Sequence, residues 1–225
     1  MNRVLSSLIA LFAIAGLHAQ HNTQAPTLIV NITVDQLRGD YLHYFSQTFG
    51  ERGFKRLLNE GLVYHQVDFG FPNLCESSSI ATIATGAYPY YHGIVADKKY
   101  DALLRKEVSV VSDNNYLGNY TSDKFSPLAL QCSTIGDELK VATKGECDVF
   151  SIAPNAEAAI LSAGRNANGA YWLDDYNGMW ATTTFYKDVP YYIDRFNTTE
   201  AFGNSSDKSW IQSLSQYKGF PYSGT

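Results

Sequence analysis

The chemistry open to this sequence rests on a few carboxylates and hydroxyls. Asp35 directly follows Leu28–Val34, a continuous apolar and β-branched run. In α/β sheets, ligands gather just beyond the carboxyl ends of the strands, and a carboxylate brings charge and oxygen donors to a divalent cation. Asp35 therefore reads either as a metal ligand or as a turn cap paired with Arg38, while Asp40 reads as a surface or turn-stabilising acid. Further on, Glu76 precedes Ser77, Ser78 and Ser79, ahead of a small and apolar stretch that runs to Thr85. Hydroxyls in that position cap a helix well, because they accept hydrogen bonds from its free amide groups. Beyond residue 20 the histidines are His21, His43, His65 and His92. None lies at metal-ligand spacing, and His92 reads as a packed turn residue.

These groups need a scaffold, and the composition allows one. A chain of 225 residues, 45% hydrophobic and 17% charged, can bury a core and reads as a globular domain. Its net charge of -5 offers no basic surface for nucleic acid. Residues 1–20 have a short positive start, an apolar stretch and small residues at a cleavage point, which fits a secretory signal peptide. That stretch is short for a bilayer span, so no retained transmembrane segment is expected. The mature protein is expected in the periplasm, outside the cell or at its surface, where disulfides persist. Of Cys75, Cys132 and Cys147, the last two flank one predicted helix and form the expected pair.

Strands and helices alternate along the chain. Leu28–Val34 reads as a strand buried on both faces, followed by a helix over Phe54–Asn59 that Gly61 stops and a strand over Leu62–Phe69. Ser78–Thr85 reads as a helix closed by Gly86. Ser133 or Thr134 caps another through Lys144, with Asp137 and Glu138 at the positive end of its dipole and Gly145 as its stop. Val149–Ile152 is a core strand, Ala156–Leu161 a helix, and Ala170–Leu173 with Trp180–Phe185 a hairpin across Asp174–Gly178. This alternation predicts an α/β domain over residues 21–190 with a mainly parallel sheet and helices on both faces. Residues 191–225 lose periodicity and read as an irregular cap or loop.

Two segments carry a resemblance. Asp35 at its strand end and Thr85-Gly86-Ala87-Tyr88-Pro89-Tyr90-Tyr91-His92-Gly93-Ile94 match, position for position, a pattern of the alkaline phosphatase superfamily. The resemblance is to its type I phosphodiesterase, nucleotide pyrophosphatase and periplasmic broad-specificity phosphatase branch. It extends through Ser133–Leu139, Ala159–Gly164 and Ala170–Asp174, and implies the amino-terminal portion of an alkaline phosphatase-like fold. Such proteins use two divalent ions, usually zinc, to hold a phosphoryl group and activate a Thr or Ser nucleophile at a helix amino terminus. The resemblance implies Asp35 as a metal ligand.

The same resemblance marks departures. The nucleophile position, nine before Thr85, is Glu76. Ser77 or a neighbouring serine is the possible replacement. Phosphate-monoester members carry a Lys and an Arg where this chain has Asn155 and Glu157, and an Asn where it has Asp97. Carboxylates at Glu76, Asp97 and Glu157 should repel a phosphate dianion. Family members are about twice as long and hold further Asp and His ligands in their carboxyl-terminal half, so the two zinc sites are expected to be incomplete within these residues. The abrupt Tyr222–Thr225 end favours a fragment. The expected function is a catalytically impaired member of the superfamily in the cell envelope, binding an envelope protein or a glycan. With 16 Tyr and 12 Phe, such binding has aromatic surface to draw on, including Tyr88, Tyr90 and Tyr91 beside the would-be site. The alternative is an active metal-dependent phosphoric-ester hydrolase with a replaced nucleophile.

Overall fold

The computed structural model describes residues 26–72, 74–187 and 189–199. The signal-like segment, residues 1–20, lies outside them, as does the chain from residue 200 onward. The chain divides into two compact units at Gly39/Asp40. Described residues of the first unit run without strand or helix up to Gly39, and all are exposed.

The elements are α1 (Gly39–Tyr44), α2 (Phe54–Glu60), α3 (Glu76–Thr85), α4 (Pro89–His92), β1 (Lys98–Asp101), β2 (Lys106–Ser109), β3 (Gly118–Asn119), α5 (Ile135–Ala142), β4 (Phe150–Ile152), α6 (Ala156–Ala163), β5 (Gly169–Leu173), β6 (Trp180–Thr183) and α7 (Tyr191–Thr198). β1 and β2 form an antiparallel hairpin, and a four-stranded sheet has the order β3-β6-β5-β4. β4 and β5 are parallel across the helical crossover α6, as βαβ connections require. β6 returns antiparallel to β5 through a short turn, and β3 is antiparallel to β6. The described sheet is thus mixed, where a mainly parallel one was expected. The expected strands at 28–34 and 62–69 are absent; Leu28, Val30 and Ile32 are exposed, as are Leu62 and Val67. A strand of that composition is stable only with neighbours on both edges, and no described strand pairs with either segment.

α6 packs against β4 and β5, and α3 packs against α6. Ala81 on α3 and Ala159 and Ala163 on α6 are fully buried; such small residues allow two helices a close approach. Ile160, Leu161, Trp172, Ala170 and Leu130 complete this core. α5 starts with a capping box, Thr134 accepting from Asp137 N while the Asp137 carboxylate accepts from Thr134 N; the sequence predicts the cap but not the reciprocal bond from Asp137. That carboxylate is buried and also accepts from Arg165 N and Asn166 N, tying α5 to the end of α6.

Two further expectations change. Cys75, Cys132 and Cys147 are free thiols, so the expected Cys132–Cys147 pair is not formed. Tyr191–Thr198 is helical where periodicity had faded. It is fixed by Asn197, whose Oδ1 accepts from Trp180 N at 2.9 Å and whose Nδ2 donates to Trp180 O at 2.8 Å.

Candidate functional site

α3 positions the site. Its amino end begins two residues earlier than the sequence reading placed it, with Cys75 as the N-cap and no side-chain cap bond. The serines therefore stand inside the first turn rather than before it. Ser78 donates its hydroxyl back to Cys75 O at 3.1 Å. Ser77 is 1% exposed, and its hydroxyl has no hydrogen-bond partner.

The first turn of any helix leaves free amide groups and a positive dipole end, and here the chain's own acids meet them. Asp97 Oδ1 accepts from Ser77 N at 2.9 Å. Burial works against this carboxylate's charge, yet the Ser77 amide, the Cys75 thiol and Lys98 together hold it below the ordinary aspartate range. Glu76 is the first residue of α3, and its Oε1 accepts from Asn155 Nδ2 at 2.7 Å. Asn155 is the N-cap of α6, where its Oδ1 accepts from Ala158 N at 2.8 Å. One amide side chain therefore caps one helix and ties it to the first residue of another. The positive ends of α3 and α6 converge on the Glu76–Asn155 pair.

Glu157, in the first turn of α6, accepts from Ser109 Oγ at 2.5 Å. Ser109 ends β2, and Val110 N next to it donates to Asp97 O at 2.9 Å. Hydrogen bonds and near neighbours along the chain thus link Ser77, Asp97, Val110, Ser109, Glu157, Asn155 and Glu76. The surroundings are acidic. Asp123 titrates above the ordinary range, first through partial burial and then through the charges of Asp174, Glu157 and Asp175.

The carboxyl end of α3 is built differently. Gly86 closes the helix in the left-handed conformation, with φ 68°. His92 is fully buried, and its Nδ1 accepts from Ile94 N at 3.1 Å. Nε2 therefore carries the proton and donates to Thr82 Oγ1, 3.0 Å away. Burial lowers the pKa of this ring, as expected for an imidazole held neutral by packing. The turn continues through Gly93 at φ 80°, where a Cβ would meet the Gln131 side chain at 2.9 Å. His92 is a packed turn residue, as its sequence context predicts.

The sequence-predicted residues divide accordingly. Glu76, Ser77, Asp97, Asn155 and Glu157 come together. Asp35 belongs to the first unit, in an exposed turn, where its Oδ1 accepts from Gln36 N at 2.9 Å. No group of three or more His, Cys, Asp or Glu among the described residues could hold a metal ion, so these residues do not by themselves fit the family's two zinc ions. Tyr88, Tyr90 and Tyr91 are exposed and follow the carboxyl end of α3, whose first residue is Glu76. Sequence reasoning missed Ser109 and the capping role of Asn155. An Asn directly before the apolar run Ala156–Leu161 is an N-cap signal that could have revealed the second.

Residues 29–218 match the family model of type I phosphodiesterase / nucleotide pyrophosphatase. The chain is 32% identical over 220 residues to alkaline phosphatase PafA of Elizabethkingia meningoseptica, covering 93% of this chain and 40% of that protein. It is 33% identical over 211 residues to a calcium-transporting ATPase of Myroides odoratus, covering 92% and 38%. A crystal structure of wild-type PafA superimposes with a TM-score of 0.74 at 33% identity, over 80% of this chain and 36% of that one. The chain thus spans about two fifths of the length of the curated relatives it matches. It belongs to the type I phosphodiesterase / nucleotide pyrophosphatase family, with the alkaline phosphatase-like α/β fold.

Proposed function

We propose that this chain comes from a cell-envelope member of the alkaline phosphatase superfamily that keeps the scaffold for binding or assembly and has lost phosphoryl transfer. One observation carries the reading. The helix ends that would receive a phosphate already hold the chain's own acids, through Ser77 N to Asp97 and Asn155 to Glu76. A phosphate dianion would have to displace Asp97 and approach fixed charges at Glu76 and Glu157, and like charges at such range are strongly unfavourable without a cation. A binding role would draw on exposed side chains such as Tyr90 and Tyr91, toward an envelope protein or a glycan.

A second reading has one observation in its favour. The Ser77 hydroxyl is in the first turn of α3 without a partner, so an active hydrolase could use it as nucleophile, with zinc bound through Asp35 and ligands outside these residues. Its 1% exposure weighs against this. Zinc content of the full-length protein, measured beside hydrolysis of an aryl phosphate and an aryl phosphodiester, separates the two. The pseudoenzyme predicts no turnover. Bound zinc together with turnover that disappears in Asp35→Asn and in Ser77→Ala would establish the hydrolase.

A further inference from the structure

The β1–β2 hairpin is fastened at its base and bare at its tip. Asp97 precedes it and Ser109 ends it, and both are engaged in the contacts around α3 and α6. Val110 and Val111 then enter the core. The Asp101 carboxylate turns inward, accepting from Leu103 N at 2.8 Å and Leu104 N at 2.9 Å. This draws the chain into a tight reversal that Arg105 completes at φ 51°. Neighbouring contacts are spent on holding the tip's shape, not on covering it. Leu103 is 95% exposed, Leu104 50% and, on the flank, Tyr100 68%.

Charge on the hairpin opposes that of the chain. Residues 98–109 carry Lys98, Lys99, Arg105 and Lys106 against Asp101 and Glu107, within a chain of net charge -5. Arg105 and Lys106 directly follow the leucines; Glu107 comes next, and Asp101, across the strand pair from Lys106, is engaged by backbone amides. Adjacent exposed leucines with cations behind them suit an interface that is apolar inside and anionic at its rim. A nucleic acid satisfies the cations but gives two leucines no apolar medium to enter. A phospholipid surface supplies both.

We infer that the 98–109 hairpin docks on an anionic phospholipid surface, with Leu103 and Leu104 entering the acyl boundary and Arg105 and Lys106 at the headgroups. This inference does not depend on the fate of the phosphate site. The test is sedimentation of the full chain with vesicles of equal parts phosphatidylcholine and phosphatidylglycerol, against pure phosphatidylcholine. Leu103→Asp should lower partitioning to the mixed vesicles about tenfold, and Arg105→Gln and Lys106→Gln about fivefold each. Raising salt to about 1 M should abolish the preference for anionic vesicles. All four residues are exposed, so a circular-dichroism melt should be unchanged in each variant. Equal binding to both vesicle types, or parent-like binding by Leu103→Asp, Leu104→Asp and their double variant, overturns the inference. Loss in the Gln variants with none in the Asp variants would show a generic polyanion contact instead.

Discussion

The two ends of α3 are held by opposite means. At its carboxyl end, Thr82, His92 and Ile94 form a buried, neutral relay in which donors and acceptors are matched. At its amino end, Glu76 and Asp97 meet amide groups and dipoles in a half-exposed setting. The first end is fixed by packing, which accepts few side chains. The second is fixed by charge, and free helix amides accept a carboxylate from the chain as readily as an anion from outside. This lets the scaffold signature stay whole while the residues of the chemistry change.

If that contrast is right, substitutions should separate by end. His92→Ala should be the most damaging, at about 3 kcal/mol, because it opens a cavity and leaves the Ile94 amide and Thr82 hydroxyl unpaired; denaturant unfolding measures it. Gly93→Ala should follow at about 2 kcal/mol, from a left-handed backbone and contact with Gln131. Asn155→Ala removes the α6 cap and the bond to Glu76, for about 1–2 kcal/mol. Asn155→Asp should restore the cap but not the contact, splitting the two contributions.

Acid should release the two ends in separate windows. The folded His92 pKa lies below its unfolded value of 6.5, so its contribution is complete above that pH and is lost as pH falls through the folded value. The folded Asp97 pKa lies below 3.8; its contribution is present above that pH and lost as pH falls further. Unfolding measured across pH should show both steps, with His92→Gln removing the upper and Asp97→Asn the lower. The smallest effect is expected for Glu76→Gln, below about 1 kcal/mol. A Glu76→Gln loss equal to that of His92→Ala would end the distinction.

Local signals made much of this legible. A cap at Thr134 opens α5, Gly86 ends α3, and Asp174–Gly178 turns the hairpin, because each is decided within a few residues. Leu28–Val34 departs from its expected strand for the opposite reason. Its apolar run states what a strand would bury, but burial depends on neighbours elsewhere in the chain. The candidate site was half legible: the family resemblance marked Glu76 by its spacing from Thr85, Asp97 by its place after His92-Gly93-Ile94, and Asn155 and Glu157 by alignment on Ala159–Leu161. It could not reveal that Asn155 grips Glu76 or that Asp97 fills the Ser77 amide, since those pairings cross about 20 to 80 residues of sequence. Tyr191–Thr198 escaped notice because its helix is fixed by Asn197 on Trp180, a contact invisible to periodicity.

That same asparagine gives the sheet a stopper. Trp180 would otherwise present an open N–H and C=O along the β6 edge beyond the two residues that β3 covers. Such an edge is a template onto which a second chain can add a strand. By engaging both groups with one amide, Asn197 imitates a single residue of a neighbouring strand that goes no further. Its replacement by leucine would leave α7 a helix by composition but return that edge to solvent, so a purified variant should self-associate with rising concentration where the parent does not.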